Sequence, residues 1–386
     1  MDRSDRPLIL LVYLGGLLAA AQFGKAALTL PLLAEAFGRD VAGVAVLVSL
    51  VGLMGLVLGA MAGGVVAALG PGRSYLGGLA LGGAVSLLLA SMPPFPVFAA
   101  LRAVEGIAHL ALVVAGPPLI AAAASDRDRP LAMGLWGTFF GTSLALSALA
   151  FPRLVGAGGL PLLFLANGAA MLALAALLWR RVPRIARAPL DLRPVAVHRA
   201  VYGRLAQVAP ALGFFPYTFL FLAALTFLPE ALGRPVAAAS VWSLVTLAST
   251  LAGGALCRRL PPWWVTVAGF MGTALGAGGI ALGVPLAAEA MFAAMGLVPG
   301  ASFAAIAAWN ADPRSRARAT GAIAQFGNLG TVTGTPVMAL LFAAGGREAL
   351  LALVLAACAL GAVLAAWSGA RAEAGLRGLA AAPEDC

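Results

Sequence analysis

Apolar residues come in long blocks separated by short clusters of Pro, Gly and Arg, and twelve such blocks can be marked along the chain. They cover roughly 8–34, 42–68, 74–92, 95–123, 131–152, 160–179, 207–231, 237–256, 264–284, 286–309, 320–344 and 348–368. Each is long enough for one helical crossing of a bilayer core, which takes about 20 apolar residues. Transmembrane strands would instead give segments of about ten residues alternating in polarity, and that pattern is absent from the sequence. An open sheet edge in hydrocarbon would also leave backbone groups unpaired. The pattern therefore predicts an all-α membrane protein with twelve transmembrane helices and both termini on one side. Met1 to Phe37 begins like a secretory signal, with Arg3 and Arg6 before an apolar run, but that run continues to Leu33 and reads as the first span.

One long polar stretch, RRVPRIARAPLDLRPVAVHRAVYGR at 180–204, divides the blocks into two groups of six. The expected organisation is a six-helix bundle over 1–179, a basic linker over 180–206, a second six-helix bundle over 207–370 and a tail over 371–386. The halves repeat each other. ASDRDRPLAMG before the fifth block is echoed by ADPRSRARATG before the eleventh, with the closing glycines 187 residues apart, and Gly106 pairs with Gly296 at an offset of 190. Two six-helix halves in parallel repeat form a transporter architecture whose site lies near the repeat interface.

Composition strengthens this picture: 62% of residues are hydrophobic and only 10% charged, against about 25% charged in soluble domains. The net charge of +10 would suggest nucleic acid in a soluble protein. Here it reports topology, because nineteen arginines fall in one set of loops and termini and four in the other. The arginine-rich side is expected to be cytoplasmic, placing both termini inside the cell inner membrane, with no nucleic-acid partner. The three cysteines have no paired spacing, so no disulfide framework, metal site or cofactor is expected. Two histidines and the absence of GxSxG and HExxH speak against a membrane enzyme.

Three stretches carry a family resemblance. GGVVAALGPGR, from Gly63 through Gly70 to Arg73, lies in the second-to-third loop; LRAVEGIAHL lies in the fourth block; GLPLLFLAN enters the sixth, ending in Phe164 and Asn167. Together with the twelve blocks and the half-chain repeat they make the chain resemble the major facilitator superfamily over nearly its whole length. In the loop signature the family's acidic and following basic positions fall near Ala67 and Ala68. Arg73, Arg127 and Arg129 remain as candidates for a cytoplasmic gate with Gly63 and Gly70. The resemblance implies a monomeric carrier that works by alternating access of two bundles around a central cavity, driven by an ion or substrate gradient.

Arg102, Glu105 and His109 stand at i, i+3 and i+7, one helix face. Lys25, the single lysine, lies nine residues before Ala34, and Glu105 ten after Phe95. Both are then about 13–15 Å from the same end of their spans at ~1.5 Å per residue, a depth that permits pairing. Charged groups at span centres cost about 2.5–3.5 kcal/mol each on insertion scales and are functional by default. Arg102 suits a carboxylate and Lys25 acts as a point charge, so a small organic anion is the expected substrate. Glu105 is the expected proton carrier and His109 the competing one. A structural role, pinning helices together, stands beside these readings for Arg102 and Glu105, and a packing hydrogen bond for His109. Rival cargoes are hydrophobic or cationic drugs exported against protons, and amphoteric amino-acid-like compounds.

At the 190-residue offset the second half places Phe292, Met295 and Pro299 on the matching face, without charge. Its candidate substrate contacts are Tyr217, in a seventh helix expected to break at Pro210, Gly213 and Pro216, and Gln325 and Asn328 of the eleventh. Glu289 reads as an interface carboxylate or a gate, and Trp136, Phe140 and Trp242 as packing or lipid anchors.

Overall fold

A computed structural model describes residues 4–125, 127–183, 185, 194–310 and 313–380. In chain order the helices are α1 (Arg6–Ala27), α2 (Leu30–Phe37), α3 (Val41–Val44), α4 (Val46–Leu69), α5 (Pro71–Ala90), α6 (Phe95–Ala123), α7 (Arg129–Gly137), α8 (Phe139–Leu178), α9 (Pro194–Tyr202), α10 (Leu205–Ala231), α11 (Ala238–Leu256), α12 (Pro262–Ala281), α13 (Ala287–Trp309) and α14 (Pro313–Ala380). No strand occurs among the described residues.

Among the described residues ten helices are long and apolar enough to cross a membrane. Two of them are pairs joined at a diglycine kink: α8 at Gly158 and Gly159, α14 at Gly345 and Gly346. Straight, the 68 residues of α14 would run to about 100 Å at 1.5 Å per residue, over three times a bilayer core. With the pairs separated, the crossings number twelve. Gly159 (φ 69°) and Gly346 (φ 57°) are left-handed, a conformation that Cβ makes costly. The two kinks are 187 residues apart, the offset already seen in the loops before them, so the half-chain repeat extends to backbone geometry.

Local sequence sets the ends. The Asp5 side chain accepts from the Leu8 N–H and caps α1. Gly70 (φ 94°) turns the chain between α4 and α5, and Pro71 then opens α5. The first expected span is in fact two helices, α1 and α2, separated at Leu28 and Thr29. The expected break of the seventh span is corrected: α10 runs continuously from Leu205 to Ala231 with Pro210 and Pro216 inside it. Proline at 210 strips the Ala206 carbonyl of its helical donor, and Asn310 Nδ2 replaces that donor at 2.9 Å. Such substitution by a neighbouring helix lets membrane helices carry proline without breaking.

The chain divides into two compact units, residues 1–193 with 232–243, and residues 194–231 with 244–386. Helix α9, within the polar linker, groups with the second. The first unit's core includes Val12, Tyr75, Leu79, Leu112, Leu119 and Met171, with Trp136 stacked on Phe139. Trp242 is fully buried. Because lipid is as apolar as leucine, close approach of backbones has to hold such helices together. A Cβ on Gly106 would sit 2.5 Å from the Val51 carbonyl oxygen of α4, and one on Gly296 would collide with the Thr246 carbonyl of α11. The paired glycines therefore mark the same helix-to-helix contact in each unit.

Candidate functional site

Helix α6 carries Arg102, Glu105 and His109 inward, and α1 brings Lys25 to meet them. Lys25 Nζ donates to Glu105 Oε1 at 2.6 Å and to Ser86 Oγ of α5 at 2.7 Å, and lies 4.8 Å from the centre of the Phe164 ring. Arg102 Nη1 donates to Glu105 Oε2. Its other donors go to backbone: Nε to the Leu47 carbonyl of α4 at 3.0 Å, Nη2 to the Gln22 carbonyl of α1 at 2.8 Å. Glu105 thus holds a different cation on each oxygen. All three side chains have 0% exposure.

The two cations play different parts. Arg102 is a strut whose rigid fork ties α6 to α1 and α4 as well as to Glu105. Lys25 is a point charge on a flexible stem, held by one carboxylate and one hydroxyl. With two cations and one carboxylate, the network carries a formal charge of +1. Among the described residues the remaining buried side chain of the Asp, Glu, His, Lys and Arg set is His109. Its Nδ1 meets the Ala19 carbonyl at 2.9 Å. A carbonyl only accepts, so Nδ1 carries the proton. The ring packs edge-on against Phe23 at 4.9 Å. His109 shares the helix face and, like Arg102 and Glu105, bonds α1, at Ala19 where they meet Gln22 and Lys25.

Sequence reasoning did not single out Ser86, Gln22 or the Phe164–Asn167 pair as neighbours of Lys25. Ser86 accepts from Lys25 and donates to the Phe164 carbonyl at 2.9 Å, with Asn167 Oδ1 at 3.5 Å. Its signal was a lone hydroxyl in the apolar run LGGAVSLLLA, since a polar group in such a span needs a partner. Phe164 and Asn167 were visible as the sixth-block motif, without the partner that motif serves. Gln22 is fully buried, its Nε2 3.6 Å from Met171 Sδ and its Oε1 without a hydrogen bond.

In the second unit Phe292, at the place of Arg102, meets Phe221 of α10 edge to face at 6.4 Å. Tyr217 stacks on Phe221 at 5.3 Å and lies 5.4 Å from Phe214. Where the first unit is charged, the second is aromatic. Gln325 accepts from the Tyr202 hydroxyl of α9, and Asn328 Nδ2 donates to Ala324 of its own helix at 2.8 Å. These three have different partners: Tyr217 stands in a ring stack, Gln325 bonds α9, and Asn328, also on α14, bonds its own helix. Glu289 is half-buried in the first turn of α13.

Of the candidate gate, Gly63 has open space where a Cβ would be, Gly70 makes the α4–α5 turn, and Arg73 and Arg127 are exposed. Arg129 opens α7, its side chain outside the described residues. Beside them Ser4 Oγ donates to Asp128 Oδ2 at 2.7 Å, and the Asp5 N–H to the Ala123 carbonyl at 2.8 Å. These bonds fasten the start of α1 to the end of α6 and to the start of α7.

The sequence profile of the Major Facilitator Superfamily matches residues 12–312. The chain belongs to that superfamily. As a major facilitator protein it is a multi-pass membrane carrier of small molecules, a secondary transporter and not an enzyme. Among solved structures it is similar to a bacterial homologue of the human lysosomal transporter Spinster in its inward-facing, unoccupied conformation. That match has a TM-score of 0.75 and 15% identity over 96% of this chain and 97% of that one. It is also similar to the human organic anion transporter MFSD10 (TETRAN), with a TM-score of 0.67 and 17% identity over 93% of this chain and 99% of that one. At these identities the likeness is one of fold. None of the curated proteins matches the chain.

Proposed function

We propose that this carrier moves a small organic anion of carboxylate type together with a proton across the cytoplasmic membrane, both termini facing the cytoplasm. The observation that supports this is the buried network itself, in which two cations share one carboxylate and leave one formal positive charge among fully buried side chains. A buried charge requires a partner, and an anion supplies it. Lys25 and Arg102 bind the substrate's carboxylate, with Arg102 the more fixed of the two.

Glu105 couples the proton. When Glu105 takes a proton, Lys25 loses its ionic partner and turns to the incoming anion. When the anion leaves, Glu105 gives up its proton and recovers Lys25. With substrate bound and Glu105 neutral, the formal charge of the network is again +1, so one carboxylate has replaced another and the loaded and empty carriers hold the same charge. Tyr217, Gln325 and Asn328 are the neutral contacts proposed from the second unit, and His109 is the alternative proton carrier.

The charge balance has a measurable consequence. In proteoliposomes, uptake of a monocarboxylate is expected to follow an imposed pH gradient, acid on the donor side. It is expected to stay unchanged, within about twofold, when a potassium–valinomycin potential of either sign is applied. Uptake driven by the potential alone would overturn the one-for-one proton coupling. Transport confined to cationic drugs would overturn the anion.

A further inference from the structure

At the end of the first unit remote from the N terminus, a cavity of about 650 Å³ opens between the end of α2, the turn before α6 and the α8 kink. Pro93, Pro94, Phe95 and Pro161 contribute to its walls, and Arg39 is its one charged lining residue. The guanidinium carbon lies over the Phe95 ring, 4.1 Å from its centre. Arg39 is exposed, and a cation–π contact uses none of the N–H donors with which a guanidinium grips a carboxylate. The adjacent carboxylate, Asp40, caps α3, its Oδ1 accepting from the Gly43 N–H at 2.9 Å.

From this groove a row of rings leads to the buried network. Phe95 meets Phe37 at 5.4 Å, Phe37 meets Phe98 at 5.1 Å, and Phe98 meets Phe164 at 5.4 Å, every pair edge to face. Phe164 is the ring under Lys25. Exposure falls along the row, from exposed Arg39 through half-buried Phe95 and Phe37 to Phe98 and Phe164 at 0%. A cation therefore caps each end. Ring faces repel a carboxylate, but both terminal faces are covered by cations, and edge-to-face pairs are contacts an apolar or aromatic body can replace one at a time.

We infer that the Arg39 groove is a second anion site, an outer station for an organic anion with an apolar or aromatic body, joined to Lys25 by the ring row Phe95–Phe37–Phe98–Phe164. It rests on the proposed function for the class of substrate and narrows that class: the carboxylate is read by Arg39 and then by Lys25, the body by the rings.

The test is equilibrium binding of radiolabelled benzoate to the full-length protein in nanodiscs of zwitterionic phosphatidylcholine. Wild type is expected to bind two benzoates per chain, Arg39→Gln one, Lys25→Met one and the double variant none. Arg39→Gln is also expected to raise the KM for benzoate uptake about five- to tenfold while leaving kcat within twofold, since the core site is intact. Equal stoichiometry in wild type and Arg39→Gln would overturn the outer station. Loss of the Arg39-dependent site when phosphatidylglycerol replaces phosphatidylcholine would also overturn it, assigning the groove to a lipid headgroup. An Arg39-dependent site with nothing lost in Lys25→Met would leave the outer station standing and remove the proposed function of the core.

Discussion

Replacing Glu105 by alanine is expected to cost roughly 3–5 kcal/mol of stability, the range found when one member of a buried ion pair is removed. The wild-type network places a carboxylate oxygen on each of two cations. Alanine leaves Lys25 and Arg102 facing each other, both fully buried. Neither can escape to water by extending its side chain, because Arg102 is tied to the carbonyls of Leu47 and Gln22 and Lys25 to Ser86. Glu105→Gln is expected to lose less, since the amide oxygen still accepts from one cation while its NH₂ opposes the other. Thermal unfolding of the detergent-purified variants checks the order: wild type highest, Glu105→Gln between, Glu105→Ala lowest. Equal stability of Glu105→Ala and wild type would mean that the three groups are not coupled as described.

Lys25→Met is expected to behave in the opposite way, with transport of the anion falling about 30- to 150-fold and unfolding temperature close to wild type. Methionine fills the space of the lysine stem and removes the surplus cation. Arg102 and Glu105 remain as a pair with no net charge, bonded to each other and to the same backbone carbonyls. Replacing a buried charge by an apolar group of similar volume is often neutral for stability. Loss of one charge contact to a bound carboxylate, roughly 2–3 kcal/mol, corresponds to about 30- to 150-fold in affinity. Uptake rates normalised to the amount of folded protein in the liposomes separate the two effects. Wild-type transport in Lys25→Met would reduce the lysine to a packing element.

Sequence pattern carried the membrane helices because their signal is length, and length survives small errors at helix ends. It carried the meeting of Lys25 with Glu105 because depth along a helix is arithmetic. The partner of each group is less legible: Arg102, Glu105 and His109 share a face and all meet α1, yet His109 takes the Ala19 carbonyl while Glu105 takes both cations. The α10 helix defeated the reading of Pro210 because the compensating donor, Asn310, is 100 residues away in sequence. Ser86 and Phe164 became visible as parts of the network only when α5 and α8 were packed against α1, and a lone serine or phenylalanine in an apolar run announces nothing about its neighbour.

The most direct test of the central claim counts protons against anions. Proteoliposomes loaded with a pH-sensitive dye and given an outward-to-inward gradient of a membrane-impermeant monocarboxylate are expected to acidify inside, one proton for each radiolabelled anion taken up. With Glu105→Gln, anion-for-anion exchange is expected to persist while acidification disappears, because the amide cannot release a proton. Acidification that continues undiminished in Glu105→Gln, or anion uptake by the wild type without any proton, would contradict the account.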